Sequence, residues 1–214
     1  MENIDTESPV IGFRPIEIPS GEKHLTPSGA ELELVFQGIR IEKEDEEVVT
    51  EAICNGYDYL SSVLGQGISY LSKKYIVELT QGENFMHGGI LMKFPESGIK
   101  SLKGNPSYER DRTQSSVVHE LVHSITPYED LPMFAEMIYI VEKGHPERIN
   151  EIERFLSEGK LKKQHVSGLS NIANWLGYSS PEELVREFSR NNLDYLKAKL
   201  AKELVSYSET ESGQ

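Results

Sequence analysis

The sequence predicts an α+β fold in which strands come early and helices late. Three observations carry the prediction: two-residue apolar alternation confined to the first half, a three-to-four-residue apolar period that dominates after residue 115, and no internal repeat. With 214 residues, 37% hydrophobic and 27% charged, the chain suits one cooperative globular unit rather than two large domains.

Residues 1–30 hold Pro9, Pro15, Pro19 and Pro27 with little periodicity, so they read as an extended arm that ends in a turn at "TPSGA". "ELELVFQGIRIEK" (31–43) alternates Leu32, Leu34 and Phe36, then Ile39 and Ile41 after Gly38, as a strand pair or one bent strand would. The acidic run "EKEDEE" suits the positive end of a helix. That helix spans about 46–64, where Val48, Val49, Ala52, Ile53, Tyr57, Leu60 and Leu64 form an amphipathic stripe able to back a sheet. "KKYIVELTQ" and "GGILMKF" are further strands, separated by the turn-rich "GENFMH". A Gly/Pro/Ser-rich loop, "PESGIKSLKGNPSYERD", follows.

From residue 128 to 207 the pattern is helical: "LPMFAEMIYIVEKG", "PERINEIERFLSEG", "VSGLSNIANWLGY" and one long segment beginning "SPEELVREF". Ser180 ahead of Pro181 and Glu183 marks a capped start. Residues 31–207 are therefore expected to form a single domain with a helical part over about 128–207, and 208–214 a disordered tail.

Lys plus Arg number 22 against 35 Asp plus Glu, a formal charge of −13 that repels nucleic-acid phosphates and anionic lipid. The acidic start lacks a signal-peptide pattern and no apolar run reaches membrane-spanning length, so the expectation is a cytoplasmic protein with no membrane partner. Cys54 stands alone and reads as a small buried side chain.

The chemistry concentrates in "SSVVHELVHSI" (115–125). At about 100° per residue, Val118, Leu121, Val122 and Ile125 share one helical face while His119 and His123 lie together on another. Imidazoles four residues apart can bind one zinc ion, and a glutamate next to the first, Glu120, is placed to take a proton from a water that zinc acidifies to a pKa of about 7. The alternative is a polar helix face that simply touches water.

"HELVH" resembles the signature of the HExxH zinc metallopeptidases of the zincin fold, and "LPMFAEMIY" is similar to the downstream helix of the gluzincins, in which a Glu is the third metal ligand. Met137 departs from that pattern, where a Gly usually follows the ligand. Thr126 and Glu129 stand where the metzincin pattern has Gly and His. The resemblance implies a small N-terminal mixed or antiparallel sheet with a backing helix, then the motif helix and an all-helical C-terminal part. It implies one zinc per chain, a peptide or protein substrate, and an edge strand to which that substrate adds; "MHGGILMKF" (86–94) is the candidate. It also implies an oxyanion-stabilising side chain, for which His165, Tyr139 and Tyr178 are available.

Glu129, Asp130, Glu136 and Glu142 compete for the third ligand. Pro127 should end the first helix about one turn past His123. Thr126, Pro127 and Glu129 fit a capping box, Asp130 fits a helix cap, and Glu142 sits near a helix end. Glu136 has Pro132, Met133, Tyr139 and Ile140 as helical neighbours, where a carboxylate is costly without a positive partner, so Glu136 is the expected ligand. The expected function is a zinc metallopeptidase, an endopeptidase because "GGILM" lacks an acidic residue to hold a free amine. The alternative is a non-catalytic zinc-binding regulatory or interaction protein on the same scaffold.

Overall fold

The computed structural model describes residues 20–38, 42–81, 86–88, 90–104 and 108–212. Most of the N-terminal arm, Ile39, Ile41, part of "GENFMH" and the last two tail residues fall outside them. The architecture is α+β: a small mixed sheet followed by a mostly helical remainder, around a hydrophobic core that runs from Leu32 to Leu204. No helix among the described residues is long and apolar enough to cross a membrane.

The sheet has five strands in the order β1-β2-β3-β5-β4, comprising β1 (Glu22–Leu25), β2 (Glu31–Gly38), β3 (Lys74–Thr80), β4 (Met86–Gly88) and β5 (Leu91–Pro95). The central three are parallel and both edges antiparallel. Helix α1 (Lys43–Leu64) makes the crossover between β2 and β3 that a parallel pair requires. Register puts Leu34 beside Tyr75, Val77 beside Met92 and Leu79 beside Phe94, all buried. Glu78 and Lys93 pair at 3.1 Å on the opposite face. One apolar face and one polar face explain why the strands show alternation.

Helix α3 (Tyr108–Val122) packs on α1, where the Gln114 side chain donates to the Ala52 carbonyl at 2.8 Å inside the core. Helix α4 (Asp130–Glu142) is buried at every position from Leu131 to Ile140, all apolar except Glu136. It contacts α3, α5 (Pro146–Ser157), α6 (Lys163–Leu176) and α8 (Leu193–Ser212). Ser180 Oγ accepts from Glu183 N at the start of α7 (Pro181–Glu187), the cap the sequence indicates.

Several boundaries differ from the sequence expectation. The end of the arm is not free: Glu22–Leu25 pairs with β2 by backbone bonds although its side chains show no alternation. The segment 86–94 is a hairpin, with β4 at the edge and β5 one place inside. The expected loop after Phe94 contains α2 (Glu96–Lys103), which forms because Ile99 and Leu102 are buried together. The long C-terminal segment breaks at a short 3-10 turn, Phe188–Arg190, and restarts where Asn192 Oδ1 accepts from Tyr195 N. Its final helix, Leu193–Ser212, takes in residues 208–212 of the expected tail.

Candidate metal centre

Helix α3 ends sooner than Pro127 alone requires. Its last turn tightens at Ser124 N to Leu121 O and Ile125 N to Val122 O, and Ser124 Oγ accepts from Ser72 N just ahead of β3. His119 and His123 thus project from an anchored helix end. Their side chains are 12% and 10% exposed.

Each imidazole is held by its Nδ1. His119 Nδ1 lies 3.1 Å from Glu136 Oε2, and His123 Nδ1 lies 3.0 Å from the Thr126 carbonyl. Both partners are acceptors, so each ring gives an Nδ1–H to one of them and turns its Nε2 to the other side. The two Nε2 atoms face each other at 3.2 Å. Glu129 Oε2 completes the group, 3.3 Å from His119 Nε2 and 3.7 Å from His123 Nε2. That oxygen is buried and has no hydrogen-bond donor.

Two ring nitrogens and one carboxylate oxygen converge on one point, a group that could hold a metal ion. Zinc bound by nitrogen and oxygen at about 2.0–2.1 Å in a tetrahedron has ligand–ligand edges of about 3.3 Å. The edges found are 3.2, 3.3 and 3.7 Å, so the group fits zinc with little adjustment. Two His and one Glu with a fourth position open is a ligand set of catalytic zinc centres.

Glu136, the expected third ligand, occupies a different place. It sits behind His119, on the ring nitrogen turned away from the other imidazole, and its second oxygen accepts from Arg148 at 3.3 Å. The desolvation argument for a positive partner was sound, but Arg148 and the His119 N–H satisfy it. The sequence gives Glu129 a place in a capping box. That box does not form: Thr126 Oγ1 accepts from Tyr128 N, and α4 begins with no side-chain cap from Glu129, whose carboxylate turns to the histidines. Its offset of six residues past His123 is the one at which the metzincin pattern places its third ligand, and that spacing is the signal that could have identified it.

Burial works against charging His119, but Glu129, Glu136 and Glu120 outweigh it and raise its pKa to about 10. Burial would raise Glu136, yet His119 and Arg148 bring it down to about 2. Glu129 is likewise opposed by burial and held well below the usual carboxylate range by His119 and His123. Glu120 goes the other way: burial raises it, although both histidines pull it down. A carboxylate so raised is a better proton acceptor than an exposed one.

Of the three oxyanion candidates, His165 alone belongs to this centre, with Nε2 3.6 Å from Glu129 Oε2; burial lowers its pKa. Tyr139 packs edge-on against Tyr59 in the core, and Tyr178 shares hydrogen bonds with Asn191. Asp130 accepts from Asn171, and Glu142 pairs with Lys197. A polar cleft lined by Pro127, Tyr128, Asp130, Gln164, Ser167 and Asn171 opens beside Glu129. Comparison with models of known families, with characterised proteins and with solved structures found no match.

Proposed function

We propose that the chain is a zinc-dependent metallopeptidase of the HExxH type on a zincin-like scaffold, with His119 Nε2, His123 Nε2 and Glu129 Oε2 as ligands and Glu120 as general base. The observation that carries the reading is the buried Glu129 oxygen, which makes no hydrogen bond and faces two imidazole Nε2 atoms at tetrahedral spacing, with buried Glu120 next to His119. Zinc held there would act as a Lewis acid, polarising a carbonyl and acidifying water to a pKa of about 7.

The remaining roles fall to the chain's own groups. Glu120 takes the proton from the attacking water and returns it to the leaving amine. Glu136 fixes the His119 tautomer, and Arg148 keeps that carboxylate ionised. His165 is the donor best placed to meet negative charge that develops on the substrate oxygen. Strand β4, at the sheet edge, offers backbone groups for an added substrate strand, which favours internal peptide bonds.

The test couples two measurements on the purified protein: zinc content after zinc-replete preparation, and cleavage of a peptide library. One zinc per chain with chelator-sensitive cleavage is expected. No bound zinc would refute the reading. Bound zinc without cleavage of any library member would favour the non-catalytic zinc protein.

A further inference from the structure

We infer that α6 is the positioning element of the metal centre, through one face formed by Gln164, Gly168 and Asn171. The inference rests on Glu129 being a metal ligand and assigns the residues that hold it in a one-oxygen presentation.

Glu129 needs such support because of where it sits. It ends the turn that follows α3, just ahead of α4, and no side-chain cap restrains it. A glutamate has three rotors to immobilise, each at a cost in rotamer freedom. Nothing within the HExxH helix supplies that restraint.

Helix α6 does, at positions i, i+4 and i+7, which lie on one face. Gln164 Nε2 donates to Glu129 Oε1 at 2.8 Å, so one carboxylate oxygen is occupied and Oε2 is the one turned to the histidines. The donor is a neutral amide: it orients the carboxylate without cancelling the charge that Oε2 offers a cation, as a lysine there would. At Gly168 the helix touches the turn backbone. A Cβ at that position would meet the Glu129 carbonyl carbon at 3.0 Å, and the Asp130 nitrogen and Glu129 Cβ at 3.1 Å each. Only glycine lets the two backbones lie so close. Asn171 Nδ2 then donates to Asp130 Oδ2 at 3.0 Å, fixing the next residue of the same turn. The turn is therefore gripped at both of its last residues by a helix that starts some forty residues of chain away from the motif, so metal affinity becomes contingent on α6 docking.

The test uses full-length protein, reading zinc affinity by competition with a chromophoric chelator and coordination from the visible spectrum of the cobalt(II) form. Gln164→Leu keeps most of the side-chain bulk, one atom shorter, and removes the donor. Loss of an outer group of this kind costs about 10- to 100-fold in metal affinity, and the lower end is expected for a partly exposed amide. The cobalt band should also weaken, as coordination number rises when both Glu129 oxygens become available. Gly168→Ala should lower affinity too; if it fails to fold, Gln164→Leu still decides. Zinc affinity and cobalt spectrum of Gln164→Leu indistinguishable from wild type would overturn the inference. Wild type that binds no zinc overturns it together with the functional reading. Wild type that binds zinc as tightly as Glu129→Ala overturns the third ligand, and with it this inference, while leaving the two histidines in place.

Discussion

Two clusters in this protein combine histidine with two carboxylates, and they are built to opposite ends. At the candidate centre, His119 and His123 give their Nδ1 atoms to acceptors and converge through Nε2 on Glu129. At the other, His145 gives one ring nitrogen to each of two carboxylates, Nε2 to Asp111 at 2.7 Å and Nδ1 to Glu147 at 3.1 Å, with the Tyr108 ring edge-on at 5.5 Å. There every acceptor is met by a ring N–H, so a protonated imidazole completes the cluster. What separates a prospective metal site from a clasp is whether ligand atoms from several side chains converge on one point.

The largest effect that bears on this contrast is catalytic. Glu120→Gln should keep zinc at one per chain yet lose about 10²- to 10⁴-fold in hydrolysis, the usual contribution of a positioned base. Steady-state cleavage alongside metal analysis measures both, and wild-type rates in this variant would remove Glu120 from the mechanism.

Next in size is the ion pair behind the centre. Arg148→Met leaves Glu136 buried with His119 as its remaining partner, and should destabilise the metal-free protein by about 3 kcal/mol. Urea unfolding reads this directly. A change within error would mean that Glu136 reaches water.

The ligand assignment can be sharpened by comparing Glu129→Gln with Glu136→Gln in the same zinc titration. Glu136→Gln should cost about 10- to 100-fold, as an orienting partner does, and Glu129→Gln should cost more than that. The reverse order would restore Glu136 as the ligand.

The smallest effect belongs to the clasp. Hydrogen bonding to Asp111 raises the His145 pKa above 6.5, against a small opposing effect of burial and with help from Glu147. A histidine raised on folding adds stability that is complete below its unfolded pKa of about 6.5 and is lost as pH rises through the folded value. The thermal midpoint of wild type should therefore exceed that of His145→Ala more at pH 5.5 than at pH 9, by a margin equivalent to less than about 1 kcal/mol. A margin that grows with pH would contradict the clasp.

How much of this was legible beforehand follows the range of the interactions involved. Strands β2, β3 and β5 show in the sequence because one face of the sheet is buried and the other solvated. Strand β1 does not, because "EKHL" joins the sheet through backbone bonds with three of its four side chains exposed. Helix α2 hides in a stretch bounded by Pro95 and Gly104, since burial of Ile99 and Leu102 and not propensity sustains it. Within the candidate site, the proximity of His119, Glu120 and His123 is legible and the carboxylate that joins them is not. Glu136 reads as a carboxylate in need of positive charge, but Arg148, which supplies it from α5, is invisible to a local reading.

The sequence alone determined what a single helix can determine: that His119 and His123 share a face, that Glu120 adjoins them, and that Glu136 has apolar helical neighbours. Those are consequences of 3.6 residues per turn and need no partner. Tertiary structure decided which carboxylate completes the group. Glu129 and Glu136 are alike in chemistry and both near in sequence, and the choice between them depends on where α5 places Arg148 and α6 places Gln164 and Gly168. A carboxylate is directed by the donors around it, and those donors come from elements that only the folded chain brings together.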